Sequence, residues 1–486
     1  MTVRLVTPLT AFYNDLCDVI RVFWGDVKIS PDEGETVIVH EGAEGGGEFF
    51  DLWSCGERTT VWHARIDAVD PVEFKRLRKR AAKTGLYLLL KQMTGIQPPW
   101  GSLTGIRPTR LLYEAMERGA SPEGAVRAVM AEYDVSADRA KLLGEIAAAQ
   151  AGLRDVPEGK FDLYIGIPFC KTRCAYCSFS SGEIGDGKLV APYVEALLRE
   201  IDACGAMMRE NNMTVRAAYV GGGTPTAIPC GDLERILKSA MASFPGALEW
   251  TVEAGRPDTI DRDKLTMMKA LGVTRISVNP QTFSDETLER IGRAHTGADT
   301  ERAFRLAREA GFSDINMDVI AGLPGETIDD FSRTLDRVMA LDPESVTVHA
   351  LAIKRSSKLH EELHVSEGGH ARADEREAGR MIDLARERLT ALGNRPYYIY
   401  RQKYMAGNLE NVGYAKPGFA CLYNIGNMEE TASVLALGAG AITKWIFDRR
   451  LRIERAPNVK NIEAYVARVD EMVSRKRALI MGGTDE

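Results

Sequence analysis

The sequence predicts an α/β fold: a partial (β/α)6 barrel, flanked along the chain by an α+β N-terminal domain and an α+β C-terminal domain. From Phe161 onward, apolar runs of strand length alternate with amphipathic segments of helix length. Near-continuous apolar strands joined by helices are typical of a parallel sheet, and six of them suit a partial barrel. The 486 residues, 45% hydrophobic and 27% charged, are enough for two or three domains with their own cores.

Each element of the predicted barrel corresponds to one segment of this alternating pattern. The strand candidates are residues 163–169, 217–222, 249–254, 275–281, 315–321 and 345–353. The helix candidates that follow the first five strands are residues 189–211, 231–243, 262–271, 300–310 and 328–341. Because chemistry in such barrels gathers at the C-terminal ends of the strands, we expect functional residues there.

These limits divide the chain into residues 1–157, 158–355 and 356–486, with the barrel in the middle. In the first segment, short strands at 37–39 and 60–62 surround a glycine-rich turn, and residues 122–151 read as two amphipathic helices. We assign no chemistry to it. The last segment begins with a charged helix at 371–392 and ends in another helix.

Charge and cysteine content exclude several classes of function. The net charge is -7, with 62 basic and 69 acidic residues mixed along the chain, so no broad basic surface for nucleic acid is expected. Residues 1–20 contain no long apolar stretch, which predicts neither a signal peptide nor a membrane-spanning helix, and hence a cytoplasmic location. Eight cysteines in such a chain do not indicate a disulfide framework.

A C-x3-C-x2-C run, Cys170, Cys174 and Cys177, directly follows the first predicted strand. A loop in that place can wrap three thiolates around one [4Fe-4S] cluster and leave its fourth iron open. An open iron binds the amino and carboxylate groups of S-adenosylmethionine (SAM), and one electron then releases a 5′-deoxyadenosyl radical. The alternative is zinc, but structural zinc normally takes four ligands, and no nearby Cys or His completes the set. The spacing therefore predicts a radical SAM cluster.

A second group of residues suits SAM itself. The glycine-rich turn at 221–226 follows the second strand, and consecutive glycines let backbone carbonyls approach an ammonium group closely. Glu253, Gln281 and Asp318 lie on the third, fourth and fifth strands, and Arg293 lies on the helical segment after the fourth. Carboxylates, an amide and a guanidinium around one mouth suit a ribose and a zwitterion. The alternative is a set of structural ion pairs at the strand ends.

Together these segments resemble the oxygen-independent coproporphyrinogen III dehydrogenase family of radical SAM enzymes. The likeness covers roughly residues 161–444. Its motifs are 164–170 (YIGIPFC), 221–226 (GGGTPT), 279–283 (NPQTF), Arg293 and 316–325 (NMDVIAGLPG). Residues 251–258 (TVEAGRPD) and 400–403 (YRQK) resemble the HemZ branch of that family.

The resemblance implies a reaction, cofactors and partners. The family converts two propionate side chains of coproporphyrinogen III to vinyl groups by oxidative decarboxylation, giving protoporphyrinogen IX for anaerobic haem biosynthesis. It implies a [4Fe-4S] cluster and SAM, a tetrapyrrole substrate covered by the C-terminal domain, and an electron donor such as flavodoxin or ferredoxin. The residues implied at the SAM site are Tyr164, Tyr176, Gly222, Gly223, Thr224, Glu253, Gln281, Arg293, Asp318, Ala352 and, as a looser match, Ile442.

Two departures from the family keep an alternative function open. The decarboxylases carry a further cysteine two positions after the triad, where this chain has Phe179. The Ser-Phe-Ser arrangement there looks more like the haem-chaperone branch, but that branch has a His-Asn pair where this chain has Tyr423 and Asn424. The alternatives are a haem-binding chaperone, or a radical SAM enzyme acting on another tetrapyrrole.

Other residues have weaker functional patterns. The basic candidates for binding substrate carboxylates are Lys354, Arg355, Arg401 and Lys403, although charged residues usually face water. His349 on the sixth strand is a candidate proton donor or a satisfied interior histidine. Tyr397, Tyr398 and Tyr400 would either stack on a flat tetrapyrrole or pack in a core. Thiols without ligand spacing, expected to be inert, are Cys17, Cys55, Cys204, Cys230 and Cys421.

Overall fold

The computed structural model describes residues 1–486 apart from 26, 106, 180, 353–374, 403–408, 448–451 and 483–486. Its described residues form two compact units. The first comprises Met1–Gly144 and Arg401–Glu410, and the second comprises Glu145–Tyr400 and Asn411–Glu486. The division of the chain into three domains at residues 157 and 355, with a substrate-covering last domain, stays a prediction.

The first unit packs two helices against one face of a sheet that contains five of the described strands. The strands are β1 (Thr2–Val6), β2 (Lys28–Ser30), β3 (Thr36–Gly45), β4 (Glu48–Cys55) and β5 (Arg58–Arg65), in the order β2-β1-β3-β4-β5. The helices are α1 (Tyr13–Trp24) and α2 (Pro71–Thr94). Alternate residues of the strands, such as Leu5, Ile38 and Trp53, are buried against Ile20 and Leu86 of the helices. This alternation is what a sheet covered on one face requires.

Both predicted N-terminal strands are confirmed, and the glycine-rich turn between them is a hairpin. Gly46 and Gly47 have φ values of +61° and +83°, which residues with a side chain rarely adopt. The strand β4, which the sequence did not predict, returns from that turn. The helices predicted within 122–151 are also present. The remaining helices of this part of the chain are α3 (Thr109–Glu117), α4 (Pro122–Tyr133) and α5 (Ala137–Ala149).

The second unit is built on one large sheet. Its first strands are β6 (Lys160–Ile167), β9 (Thr214–Gly222), β10 (Glu249–Gly255), β11 (Arg275–Val278), β12 (Ile315–Ala321) and β13 (Ser345–Ala350). These six lie side by side in chain order, and each pair of neighbours is parallel. Two short strands, β7 (Phe169–Cys170) and β8 (Gly182–Glu183), pair separately. The predicted parallel (β/α)6 core is confirmed.

Helices follow the barrel strands as the amphipathic pattern predicts. They are α6 (Val190–Glu210), α7 (Cys230–Ser243), α8 (Arg262–Leu271), α9 (Asp285–Arg290), α10 (Gly297–Glu309) and α11 (Ile328–Leu341). Three predicted strands end earlier than expected, and the first of them ends at Ile167 instead of 169. The fourth strand ends at Val278 instead of 281, because Pro280 cannot donate to a ladder and Gln281 turns to a φ of +66°. The sixth strand ends at Ala350 instead of 353.

The C-terminal segment adds strands to both edges of the same sheet. The helices in this segment are α12 (Glu375–Ala391), α13 (Leu422–Met428), α14 (Ile462–Ala467) and α15 (Val469–Met481). The strands are β14 (Arg395–Tyr400), β15 (Asn411–Ala415), β16 (Val434–Leu437), β17 (Ile442–Phe447) and β18 (Arg452–Pro457). The sheet therefore has the order β14-β15-β13-β12-β11-β10-β9-β6-β16-β17-β18 among the described residues. Here β16 runs parallel to β6, and β15 runs antiparallel to β13.

Buried ion pairs occupy the N-terminal ends of the barrel strands. Arg216 donates to both carboxylate oxygens of Asp162 at 2.9 and 2.6 Å. Arg275 donates to Glu249 at 3.0 Å, and that carboxylate also accepts the backbone N–H of Leu422 at the start of α13. These charges satisfy one another and a helix end, so this end of the barrel is structural. The opposite strand ends carry the predicted functional residues.

Candidate active site

The three motif cysteines lie on one loop directly after β6. The chain turns at Pro168 into β7, and the Cys177 N–H donates to Cys174 O at 3.1 Å, so the last two cysteines share a tight turn. The thiols of Cys170, Cys174 and Cys177 are all partly exposed. Burial raises the pKa of Cys177, a backbone hydrogen bond at Phe179 lowers it, and charge on Cys174 and Cys170 raises it further.

This arrangement suits a cluster better than a single ion. In the part of the chain that the structure describes, no group of three or more His, Cys, Asp or Glu side chains is arranged around a single metal ion. A cubane needs less convergence, because each thiolate binds a different iron. Three partly exposed thiols on one loop therefore fit a [4Fe-4S] cluster.

The glycine-rich turn at 221–226 packs onto the cysteine loop. Gly223 N–H donates to Ile167 O at 2.8 Å, and Thr224 N–H donates to Phe169 O at 2.7 Å. A Cβ on Gly223 would lie 2.6 Å from Phe169 O and 3.0 Å from the Cys170 sulfur. A side chain at Gly223 would therefore push the two loops apart. The close approach seen here is to the cysteine loop, and the predicted approach of the glycines to the ammonium group of SAM stays a prediction.

Glu253 lies near the end of β10 and faces Tyr219 of β9. The Tyr219 hydroxyl donates to Glu253 Oε1 at 2.6 Å. A Cβ on Gly221 would lie 3.0 Å from the Glu253 carboxyl group, so glycine leaves room for it. Desolvation raises the pKa of Glu253 to about 7, against the lowering effect of the Tyr219 hydrogen bond, and the nearby charge of Asp318 raises it further. Near neutral pH this carboxyl group can gain or lose a proton.

Replacing Glu253 with glutamine is expected to remove a pH-dependent loss of stability. The carboxyl pKa rises from 4.5 to about 7 on folding, so the folded protein keeps a proton that the unfolded chain releases. Its contribution is therefore fully present below pH 4.5 and is lost as the pH rises to 7. Between pH 4.5 and pH 7, the free energy of unfolding of the parent protein should therefore fall by roughly 2 to 3 kcal/mol more than that of the Glu253→Gln variant. Urea unfolding of both proteins across this range checks the result, and a pH-independent difference would contradict it.

Asp318 on β12 is held by Asn316 of its own strand and by His349 of the adjacent strand β13. Asn316 donates to its Oδ1 at 2.7 Å, and His349 Nε2 lies 3.6 Å from its Oδ2. Burial would raise the pKa of Asp318, but hydrogen bonds from His349, Asn316 and Thr347 hold it below its usual value. The other ring nitrogen of His349 lies 3.2 Å from the Tyr400 hydroxyl. His349 is thus an interior histidine with two polar neighbours, and its role as a proton donor stays a prediction.

Gln281 and Arg293 contribute two buried polar atoms without hydrogen-bond partners. Gln281 N–H donates to Asp318 O at 2.9 Å, which holds the residue at its positive φ. Arg293 follows α9 and donates to Asn279 O at 2.6 Å, and against the lowering effect of burial its neighbours Tyr176 and Cys174 raise its pKa. The Oε1 of Gln281 and the Nε of Arg293 are buried and unpartnered among the described residues. Such an atom costs on the order of 1 to 3 kcal/mol, so both fit contact with a polar ligand.

The other predicted SAM residues lie on the barrel strands or next to them. The Tyr164 ring on β6 stacks on Tyr219 with ring centres 6.5 Å apart. A Cβ on Gly222 would lie 3.4 Å from the Tyr164 hydroxyl, and Gly222 itself has a φ of +110°. Ala352 follows β13, and Ile442 begins β17 with its side chain exposed. Their contact with SAM stays a prediction.

Of the four residues predicted to bind substrate carboxylates, the structure describes only Arg401. The residues that lie outside the described part are Lys354, Arg355 and Lys403. Arg401 belongs to the first unit, where it is buried over the Trp100 ring and donates to Leu103 O at 2.8 Å. Its guanidinium therefore already has backbone and aromatic contacts, and a role in substrate binding stays a prediction.

Residues with weaker patterns pack mainly in the core. Tyr397 and Tyr398 are buried in a hydrophobic cluster, which favours core packing over stacking on a substrate. Burial raises the thiol pKa at each of the five scattered cysteines, to about 12 at Cys204 and further at Cys421. Raised thiol pKa values lower reactivity, as expected for inert cysteines.

Sequence reasoning missed three residues that shape the site. Tyr219 orients Glu253, and Asn316 orients Asp318. Asn279 accepts the Asp318 N–H through its Oδ1 at 3.2 Å. One signal was available, because Asn316 and Asp318 are two residues apart on one strand and so share a face. The pairing of Tyr219 with Glu253 depends on the register between strands, which the sequence does not display.

Comparisons with known proteins agree with this geometry. Residues 164–338 match the Radical SAM superfamily. The oxygen-independent coproporphyrinogen-III oxidase-like protein HemZ of Bacillus subtilis is 38% identical over 426 residues, which cover 85% of this chain and 84% of that protein. The heme chaperone HemW of Escherichia coli is 30% identical over 287 residues, 59% of this chain and 70% of that protein.

The fold of this chain is similar to that of a solved structure. Coproporphyrinogen III oxidase (HemN) from Escherichia coli superimposes with a TM-score of 0.53 at 23% identity, over 69% of this chain and 73% of that chain, which shows a shared fold. Among the described helices, none is long and apolar enough to cross a membrane. The chain belongs to the oxygen-independent coproporphyrinogen III oxidase-like family of radical SAM proteins, whose cofactors are a [4Fe-4S] cluster and SAM.

Proposed function

We propose that this chain oxidatively decarboxylates two propionate side chains of coproporphyrinogen III to vinyl groups, giving protoporphyrinogen IX. The observation that carries the proposal is the similarity to HemZ along 85% of the chain, combined with Glu253, Gln281 and Asp318 at one end of the barrel. An external one-electron donor of the flavodoxin or ferredoxin type would reduce the cluster.

The proposal gives each group of residues a binding task. Cys170, Cys174 and Cys177 would hold the cluster, and the turn at 222–224 would lie against SAM. The carboxylates of Glu253 and Asp318 suit the ribose hydroxyls and the ammonium group, and the free Nε of Arg293 suits the SAM carboxylate. The other residues that would contact SAM are Tyr164, Tyr176, Gln281, Ala352 and Ile442.

The chain's own residues would orient the groups that bind SAM. When bound, the cluster and SAM would supply a carbon radical that removes a hydrogen atom from the unactivated β-carbon of a propionate, and loss of CO2 and of one electron to an external acceptor would then leave the vinyl group. Tyr219 fixes the Glu253 carboxyl, and Asn316 and His349 fix that of Asp318, so the two groups are oriented before any ligand arrives. The stacked rings of Tyr164, Tyr219 and Tyr423 fill the barrel interior beside them.

An anaerobic product analysis tests this function. Cluster-reconstituted protein with SAM and a low-potential reductant should convert coproporphyrinogen III to a product that has lost two carboxyl groups and gained two vinyl groups. Glu253→Gln should weaken SAM binding without removing the cluster, since this side chain contacts no cysteine in the proposed arrangement. SAM cleavage without any vinyl product would reject the proposal.

A haem carrier is the second candidate. It is supported by the similarity to HemW and by Phe179, whose exposed ring stands where the decarboxylases carry a further cysteine. Titration of the purified protein with haem distinguishes the two functions, because a carrier would form a stable complex and a decarboxylase need not. A radical enzyme acting on another tetrapyrrole would instead give a product of different mass.

A further inference from the structure

We propose that Arg256 and Asp258 form a clamp on the cysteine loop, and that this clamp determines how firmly the protein keeps its cluster. The clamp holds Thr172 and Lys171, which lie between Cys170 and Cys174. The inference goes beyond the proposed reaction, because it concerns the cofactor and not the substrate. It rests on the proposed assignment of the three cysteines as cluster ligands.

Arg256 is the centre of the clamp. It follows β10 directly and is buried, with 3% of its side chain exposed. Its Nη1 donates to Thr172 O at 3.0 Å and to Thr172 Oγ1 at 2.7 Å. Its Nε and Nη2 donate to the two carboxylate oxygens of Asp258 at 3.0 and 3.2 Å. One guanidinium thus joins the cysteine loop to the turn after β10, in the fork geometry that suits arginine and not lysine.

Asp258 extends the same contact to the neighbouring loop residue. The Lys171 ammonium lies 3.4 Å from the Asp258 carboxylate and donates to the Asp258 backbone carbonyl at 3.3 Å. The Asp258 side chain is 10% exposed, and the buried ring of His295 lies 3.9 Å from it. The Arg256 charge is balanced by Asp258, so the clamp adds little net charge beside the cluster.

The opposite side of the loop is held by the turn after α9. Thr172 Oγ1, which accepts from Arg256, donates to Gly292 O at 3.1 Å. The Ala175 N–H donates to Ile291 O at 3.0 Å. A Cβ on Gly292 would lie 3.5 Å from Arg173 O. Thr172 therefore links two separate turns through a single hydroxyl.

Every residue between Cys170 and Cys174 is anchored from outside the loop. Lys171 contacts Asp258, Thr172 contacts Arg256, and the Arg173 N–H donates to Glu183 Oε1 at 3.1 Å. Three residues separate the two ligands, so a free loop would let the thiols move apart when one iron–sulfur bond opens. Contacts beyond the ligands orient metal-binding residues, and their loss commonly costs about 10- to 100-fold in metal affinity. Arg256 is accordingly a positioning residue.

Iron release from the SAM-free, reconstituted protein tests the clamp. Arg256→Gln and Thr172→Val should each lose iron to a ferrous chelator at least about 10-fold faster than the parent protein, with an altered EPR signal of the reduced cluster. Thr172→Ser keeps the hydroxyl and should restore the parent rate. The matched control is Arg262→Gln, since Arg262 pairs with Glu309 on the exposed surface of α8.

Two separate failures are distinguishable in this experiment. If Arg256→Gln and Thr172→Val release iron at the parent rate with an unchanged EPR signal, the clamp is overturned while the ligand assignment stands. If the parent protein takes up no cluster, the ligand assignment falls, and the clamp falls with it. Should Arg256→Gln fail to fold, Thr172→Val decides, because it leaves the Arg256 and Asp258 pair in place.

Discussion

Replacing any one of Cys170, Cys174 and Cys177 with alanine is expected to abolish the reductive cleavage of SAM. With two thiolates, the loop no longer leaves one defined open iron, and that iron is what SAM requires. Loss of a contact outside the ligand set already lowers metal affinity or activity by up to about 100-fold. Loss of a ligand itself should therefore lower the rate of SAM cleavage by more than about 100-fold. Formation of 5′-deoxyadenosine under anaerobic, reducing conditions measures the effect, together with iron and sulfide per chain.

Cys230→Ala is the matched control for this experiment. Cys230 is partly exposed at the start of α7, outside the loop that carries the three motif cysteines. This variant should cleave SAM at the parent rate. Cleavage that survives in any one of the three ligand variants would contradict the assignment, and so would loss of activity in the Cys230 variant alone.

The barrel was predictable because its pattern is local. The fifth and third predicted helices, α11 and α8, have the bounds that their sequences indicate. Thr327 and Asp330 form a reciprocal capping box at the start of α11. Asp261 caps the start of α8, and Gly272 ends it in the left-handed conformation. Signals of this kind lie within a few residues of each helix end and need no tertiary information.

Strand ends and strand partners were less predictable. The β16 strand lies beside β6, and its residue Val434 pairs with Asp162, which lies 272 positions earlier in the chain. The C-terminal segment therefore joins the barrel sheet through contacts that no local pattern encodes. At Gln281, the tertiary bonds to β12 override the apolar run and impose a positive φ. Long-range pairing decided both cases.

Part of the candidate site followed from position on the strands alone. Glu253 was predicted from its place at the end of the third strand, and Asp318 from its place within the fifth. Structural ion pairs, the alternative interpretation of these residues, are also present. They lie at the opposite ends of the strands, where Glu249 pairs with Arg275. Two carboxylates on the same strand, Glu249 and Glu253, thus differ in role because they lie at opposite ends of it. Only the register of neighbouring strands reveals which carboxylate has a cationic partner.

A buried ion pair links the helices around β16 and has the largest expected effect on stability. The Lys476 ammonium on α15 lies 2.7 Å from Glu200 Oε1 on α6, and neither side chain is exposed to solvent. Glu200 Oε2 accepts the Tyr465 hydroxyl at 2.6 Å and the Gly438 N–H at 2.8 Å. A Cβ on Gly438 would lie 2.3 Å from Gly166 O, so the carboxylate holds this turn directly against β6.

Lys476→Met is expected to lower the free energy of unfolding by about 3 to 5 kcal/mol, because it leaves the Glu200 carboxylate buried without its cation. Urea unfolding measures the loss, and adding Glu200→Gln should recover part of it by removing the unpaired charge. Arg468→Ala is the control, since its pair with Glu471 is exposed on α15 and should change nothing measurable. If Lys476→Met unfolds at the same urea concentration as the parent, the buried pair does not stabilise the unit. In that case the hydrogen bonds from Tyr465, Gly438 and Asn458 would suffice to hold Glu200.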